Sequence, residues 1–276
     1  MYNPSFVAQD KCHGLLLHSY QKFPSIDLGY MASDFVYYGF YPVYNSGFAL
    51  SASYDRQPGG VFSYTSLDLA YIYNIVFSRK ISLALNLDFE YNQFSVNSSG
   101  LVFSSSLDPV RGIVSSSTYP DQTYRNLAFS SGFLLYGNNF FLGAEVNNIA
   151  WLAITESREI ERQVVFTLGY TYRFYKHNTF LETYLIQQSL NWTELGVLLT
   201  DSFYWVSVAA NLGNDNAQLR KLSFDLGLRR GKVLAGVNYS VYLGGFVGSA
   251  YELSLKYEIK CKKNKRKAII CPAYQL

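Results

Sequence analysis

Several acidic side chains stand two residues apart in the sequence, and such pairs are the first candidates for chemistry. Asp88 and Glu90 form one pair, and two carboxyl groups on one face of a strand are an arrangement used in general acid–base catalysis. Catalysis also requires a substrate pocket, which this spacing does not supply. The sequence has no Gly-x-Ser-x-Gly motif to place a nucleophile near His13 or His18. We therefore expect a protein that is not an enzyme.

The cysteines and histidines do not form a metal-binding pattern. The chain has three of each, and no Cys-x-x-Cys is present. We therefore expect neither a metal nor a cofactor. A disulfide between Cys261 and Cys271 is chemically possible in an oxidising periplasm, with unpaired cysteines as the alternative.

Long amphipathic strands are the elements that must position the charged side chains. The clearest two run from Val61 to Phe77 and from Ile81 to Asn92, joined by the turn Ser78-Arg79-Lys80. Apolar and polar or small residues alternate along them, which predicts a sheet with one apolar and one polar face. Soluble strands are usually about 5 to 6 residues long, whereas a tilted strand needs about 9 to 11 to cross a bilayer. These lengths favour a membrane barrel.

The composition agrees with a barrel in a lipid bilayer. Aromatic residues make up 17% of the chain and charged residues 16%, and aromatic girdles at the two membrane interfaces would use this surplus. No run of 18 apolar residues exists, which argues against membrane-spanning helices. The net charge of +3 gives no case for nucleic-acid binding. A soluble tyrosine-rich sandwich or barrel is the alternative.

We predict an all-β fold, a 14-stranded antiparallel transmembrane β-barrel of the bacterial outer membrane. An even strand number suits such a barrel with both chain ends in the periplasm. The expected division is an N-terminal segment at 1–11, the barrel at 12–260 and a basic periplasmic tail at 261–276. The expected strands are 12–20, 25–38, 47–54, 61–77, 80–94, 125–136, 139–149, 161–175, 178–188, 192–199, 203–212, 218–229, 232–243 and 249–260.

The connections between these strands alternate in length. Five of the six expected periplasmic connections are turn-like tripeptides, and the exception is the longer Gly39–Ser46. The five tripeptides are Ser78-Arg79-Lys80, Gly137-Asn138-Asn139, Lys176-His177-Asn178, Thr200-Asp201-Ser202 and Arg230-Gly231-Lys232. The remaining connections lie at the opposite end of the barrel. They include the long segments 95–124 and 150–160, which we expect at the cell surface. A soluble sandwich has no reason to sort its loops in this way.

The polar faces of the strands are expected to point into the lumen. A Lys or Arg at the lipid-facing midplane would cost about 2 to 4 kcal/mol, so the charged side must face inward. The lumen candidates are Asp68, Asp88, Glu90, Glu145, Arg173, Glu182, Glu194, Asp225, Arg229, Glu252, Lys256 and Glu258. These residues could line a wet passage, bind a guest segment or form a salt-bridge network that only holds the shape.

Two segments and the start of the chain have further features. The serine-rich loop 95–124 is unusually long, and its apolar residues are expected to pack as a lid, in the lumen or against a partner. The basic tail residues are Lys262, Lys263, Lys265, Arg266 and Lys267. Met1-Tyr2-Asn3-Pro4 is not a signal peptide, so we expect the given sequence to begin near a processed or truncated end.

Three parts of the chain resemble one known family. Tyr2-Asn3-Pro4-Ser5-Phe6 is similar to the Asn-Pro-Ala motif that opens the mature PorP/SprF proteins of Bacteroidetes, which are outer-membrane proteins of the type IX secretion system. The segment Asn126–Asn148 resembles the middle hairpin of that family. Lys262–Pro272 resembles the basic, Cys-Pro-bearing tail of its SprF-like branch.

The resemblance implies a barrel that works in secretion or surface attachment. It implies cargo with a type B C-terminal domain, such as a gliding adhesin, engaged through the surface loops. It also implies partners in the type IX translocon and in the periplasmic ring or gliding machinery, met by the basic tail. The chain would lie in the outer membrane with long loops outside and both termini in the periplasm. A passive solute channel is the alternative function.

Overall fold

The chain forms one closed antiparallel barrel with a short helix ahead of its first strand. The computed structural model describes residues 3–22, 30–57, 60–97, 107–108, 112–113, 121–155, 161–174, 179–189, 192–213, 218–243 and 248–261. The elements are α1 (Phe6–Asp10), β1 (Cys12–Lys22), β2 (Tyr30–Tyr41), β3 (Ser46–Arg56), β4 (Phe62–Val76), β5 (Ser82–Val96), β6 (Leu107–Asp108), β7 (Gly112–Ile113), β8 (Gln122–Tyr136), β9 (Phe140–Ala153), β10 (Gln163–Phe174), β11 (Thr179–Gln188), β12 (Trp192–Thr200), β13 (Tyr204–Gly213), β14 (Gln218–Arg230), β15 (Val233–Tyr242) and β16 (Gly248–Cys261).

Fourteen of these strands form the barrel, which confirms the predicted strand number and fold. Each barrel strand pairs with its sequence neighbours, and β1 pairs with β16 to close the sheet. The short strands β6 and β7 pair only with each other. Closure removes the unpaired edges that an open sheet would present to lipid. Of the helices in the described ranges, none has the length and apolarity that a membrane crossing requires.

The barrel exposes its apolar face and buries its polar face. In β10, Phe166, Leu168 and Tyr170 are about half exposed, whereas Thr167 and Thr171 are nearly fully buried. Large apolar side chains exposed in this alternating way are those of a surface that faces acyl chains. The sequence pattern therefore predicted the outward and inward faces correctly.

One mouth of the barrel has short turns, and we call it the short-turn end. The connections 77–81, 137–139, 201–203 and 231–232 lie there, as predicted, while Lys176–Asn178 lies outside the described residues. The prediction of a long connection at Gly39–Ser46 was wrong. β2 continues to Tyr41, and a four-residue turn closes with a hydrogen bond from Tyr44 N to Tyr41 O of 3.1 Å.

Strand ends at the opposite mouth, the long-connection end, reach further than predicted. β5 continues to Val96 and β8 begins at Gln122, which shortens the expected loop 95–124 at both ends. β9 likewise continues to Ala153, into the expected loop 150–160. Backbone hydrogen bonds between neighbouring strands extend these strands beyond the residues in which apolar and polar side chains alternate.

The cysteine pairing differs from the expectation. Cys12 is disulfide-bonded, and the backbone register places Cys261 directly opposite it in the β1–β16 pair. The chain has three cysteines, so Cys12 must use Cys261 or Cys271, and these two cannot also be bonded to each other. Cys271 lies outside the described residues. The expected Cys261–Cys271 bond is thereby corrected.

The register predicts which cysteine bonds to Cys12. We expect Cys261→Ser to release the Cys12 thiol and Cys271→Ser to leave the bond intact, because directly opposed strand residues lie within the Cα separation that a disulfide spans. Peptide mapping by mass spectrometry without reducing agent would detect the linked peptides. A Cys12 disulfide that survives in Cys261→Ser would refute this assignment.

Candidate lumen site

The N-terminal residues Asn3–Asp10, which we call the plug segment, lie inside the barrel. Phe6, Val7 and Ala8 are almost completely buried, although they precede the first barrel strand. Phe6 packs edge-on against Phe141, with ring centroids 5.3 Å apart. Tyr136 at the end of β8 donates a hydrogen bond to the Ala8 carbonyl, 3.2 Å. These contacts place the plug segment near the short-turn end.

Polar contacts connect the plug segment to the lumen carboxylates. The Ser5 hydroxyl donates to Asn86 Oδ1 at 2.8 Å, and Asn86 Nδ2 donates to Asp88 Oδ2 at 2.8 Å. Asn3 Nδ2 donates to the Phe133 carbonyl of β8 at 3.2 Å. Buried polar groups are stable when they are hydrogen-bonded in this way. The plug segment is thus tied to the barrel wall by side chains as well as by apolar packing.

The plug segment and the barrel wall together form an apolar core. Its members are Phe6, Val7, Ala8, Cys12, Tyr38, Phe40, Ala49, Ala70, Ile72, Ala84, Leu134, Tyr136, Phe141, Val165, Tyr184, Ile186 and Ala209. Eight-stranded barrels are filled by their own side chains, but larger barrels leave space inside. Here large side chains and a segment from outside the sheet together fill the lumen at this level.

Four inward-facing aromatic rings lie over glycines on the neighbouring strand. The directly opposed pairs are Tyr38 with Gly14, Phe141 with Gly169, Tyr184 with Gly196 and Trp205 with Gly227. A Cβ added at any of these glycines would overlap the facing ring. The missing side chain is therefore what lets each ring lie flat against the wall.

All twelve predicted lumen residues lie on the inward face of their strands. Asp88, Glu145, Glu182, Glu194, Asp225 and Glu252 are buried, and the other six are partly buried. Placement on this face does not assign a role to any of them. The basic tail Lys262–Lys267 lies outside the described residues.

Charges of both signs lie on the inward face of β10–β16 and β1. Arg229 forms a salt bridge with Glu258, and Trp205 Nε1 donates to Asp225 at 3.0 Å. His18 lies between two acids, with Nδ1 3.1 Å from Asp34 Oδ2 and Nε2 3.5 Å from Glu252 Oε2. This half of the wall is therefore partly neutralised by its own residues.

The opposite half of the wall carries acids that sequence reasoning missed. The inward faces of β2 and β3 add Asp34 and Asp55 to the acids already predicted on β4, β5 and β9. The signal was weak because the outward positions nearby include small or polar residues such as Ser33 and Ala52, which blur the alternation.

No grouping of three or more His, Cys, Asp or Glu suited to a metal ion occurs within the ranges that the structure describes. The acids lie at several levels along the wall, at most two of them in direct contact with each other. Such a surface suits binding of positive charge more than coordination of a single ion.

Solved structures with a similar fold are outer-membrane barrels. The Ralstonia pickettii toluene transporter TbuX aligns with a TM-score of 0.59 at 6% identity, covering 94% of this chain and 92% of that one. The P. putida toluene transporter TodX aligns with a TM-score of 0.58 at 9% identity, covering 95% and 94%. A Pseudomonas aeruginosa FadL homologue aligns with a TM-score of 0.51 at 12% identity, covering 94% and 93%. At these identities the likeness shows the fold alone.

Comparison with curated protein sequences gives no significant match. Residues 1–257 match a family model described as "Type IX secretion system membrane protein PorP/SprF". The match spans nearly the whole chain, from the plug segment to residue 257 within the last barrel strand, β16.

Proposed function

Because the chain belongs to the PorP/SprF family of type IX secretion system membrane proteins, we propose that it binds or anchors secreted cargo at the cell surface. The cargo is a protein with a type B C-terminal domain, such as a gliding adhesin. Family and barrel fold together support an outer-membrane location. In this proposal the long connections are extracellular and both termini are periplasmic.

The filled short-turn end is the observation that carries this proposal. Residues of the plug segment such as Ser5, Val7 and Ala8 have no measurable exposure, and the apolar core closes around them. A passive channel needs a continuous wet path, and packed apolar side chains oppose one. A lumen that is polar towards the long connections and filled at the other end suits a receptor for a polypeptide. The same arrangement speaks against the solute channel.

Partners follow from the same assignment. We infer contacts with the translocon and with periplasmic ring or gliding-machinery proteins, which the basic tail Lys262–Lys267 would meet. A basic segment attracts acidic surfaces, and added salt weakens this attraction. No catalytic step is part of this function.

Co-purification from native membranes tests the proposed function. We expect affinity-tagged protein to recover its cargo, and deletion of the C-terminal domain of the cargo to abolish the recovery. A cargo variant that keeps this domain but lacks an upstream region of equal length is the control and should still be recovered. Undiminished recovery of cargo without the domain would contradict the proposal.

A further inference from the structure

The inward charge is distributed unequally around the barrel. Within the described ranges, every charged side chain that faces the lumen from β2–β5, β8 and β9 is acidic. We call these six residues the acidic wall: Asp34, Asp55, Asp68, Asp88, Glu90 and Glu145. The inward-facing Lys and Arg residues of the barrel lie on the other half. His18, from β1, contacts Asp34 at the margin of the acidic wall.

Two members of the acidic wall are placed directly against each other. Asp68 on β4 and Glu90 on β5 are opposite in register. Like charges at directly opposed positions destabilise a sheet. The groups nearest to them are neutral, since Ser51 donates to Asp68 at 3.2 Å, the Tyr64 hydroxyl lies 3.4 Å from Glu90 Oε1, and Asn92 also hydrogen-bonds to Glu90. The pair is therefore hydrogen-bonded but not neutralised by these contacts.

One oxygen on each of two deeper carboxyl groups, Asp88 and Glu145, has no neutral or basic donor among the described residues. Glu145 is only 3% exposed and hydrogen-bonds with the Asp88 carboxyl group, and no neutral or basic side chain of the described residues donates to its Oε2. The same holds for Asp88 Oδ1, although Asn86 satisfies the other oxygen of that carboxylate. A buried carboxylate without a partner costs free energy. These two oxygens can accept a further hydrogen bond from a group that enters the lumen.

The spacing of the acids matches an extended polypeptide. From the level of Asp88 the strand register ascends to the opposed Asp68 and Glu90, then to Asp34 and finally to Asp55. Successive levels are two residues apart along the strands, which corresponds to about 6.7 Å, and the whole series covers about 20 Å. Side chains on one face of an extended peptide repeat at the same interval. A compact cation would reach only one level.

We propose that the acidic wall binds an extended basic segment of a polypeptide, with Lys or Arg at alternate positions facing the acids. The segment enters from the long-connection end, where the Asp34 side chain is 40% exposed. The residue that leads its entry comes to lie near the plug segment. This inference rests on the proposed function, because it specifies how the barrel recognises a part of its cargo. Opposite charge also speeds encounter between such partners.

Peptide binding to the full-length protein in a zwitterionic detergent tests the site. The probe is a fluorescein-labelled octapeptide of alternating Lys and Ser, followed by fluorescence anisotropy. We expect saturable binding that weakens with added salt, and weaker binding of an octapeptide with its four Lys in one block. An alternating Glu and Ser peptide should not bind.

Two isosteric changes identify the residues. The double variant Asp68→Asn with Glu90→Gln should bind the alternating Lys peptide about tenfold more weakly or worse. Its thermal unfolding midpoint should stay the same or rise, because the change removes like-charge repulsion. The control Glu194→Gln changes an acid of the other half, near Tyr184 and Lys221, and should bind within about twofold of the unmodified protein.

The outcomes separate this inference from the proposed function. Equal affinity of the double variant and the unmodified protein would overturn the acidic wall as the site, and so would binding of the Glu peptide. Cargo that still co-purifies with the double variant but not after deletion of its C-terminal domain would overturn this inference alone. Peptide binding at the acidic wall without any cargo recovery would refute the proposed function alone.

Discussion

Deletion of the plug segment, residues 3–10, is expected to convert the barrel into a steady ion-conducting pore. The segment fills the short-turn end through Phe6, Val7 and Ala8, and its removal leaves a polar lumen without that barrier. The deletion should also lower stability, because loss of the buried Phe6 side chain alone costs about 3 to 5 kcal/mol. Conductance across planar bilayers and thermal unfolding in detergent measure the two effects.

Asn138→Ala provides the control for this deletion. Asn138 is exposed in the turn between β8 and β9, at the same mouth of the barrel as the plug segment. This variant should conduct and unfold like the unmodified protein. A folded deletion variant with unchanged conductance would show that the plug segment is not the barrier, and a steady pore in the unmodified protein would favour the channel function.

Replacement of Gly227 by Val is expected to destabilise the barrel by about 3 kcal/mol or more. The Trp205 ring lies against Gly227 and also approaches the position of a Gly236 Cβ to 2.8 Å, so it is confined by two neighbouring strands. A valine side chain would displace the ring and break its hydrogen bond to Asp225. The shift of heated and unheated samples on detergent gels reports the loss of the folded barrel.

A second substitution separates this clash from a general effect of valine. Trp205→Leu removes most of the ring, and the double variant Trp205→Leu with Gly227→Val should be more stable than Gly227→Val alone. The coupling between neighbours in contact is typically about 0.5 to 3 kcal/mol. Additive effects of the two changes would argue against the ring as the cause.

The barrel itself was predictable because its signal is repeated many times. Each strand such as Ser82–Val96 carries its own alternation, and lipid outside and water inside impose the same two faces on all of them. Strand ends were less predictable. The backbone pairing that extends β2 through Tyr41 depends on a partner strand and leaves no mark in side-chain periodicity.

The lumen was only partly predictable. Inward acids such as Asp88 and Glu145 follow from strand parity, but their isolation from Lys and Arg depends on which strands are neighbours around the barrel. The plug segment was not predicted as a structural element. A five-residue helix has too few residues for a periodic pattern, and its position inside the barrel is set by the cavity that the strands leave.

The four ring-and-glycine pairs have a further consequence for how the strands find their partners. Sliding one strand by two residues keeps every apolar side chain outside, so polarity alone does not reject that error. It would, however, bring Trp205 against Asp225 or Arg229 and Tyr184 against Glu194 or Leu198 instead of glycine. Each ring therefore fits only opposite its glycine, and only the correct register provides that pairing. Misaligned intermediates are penalised pair by pair during assembly.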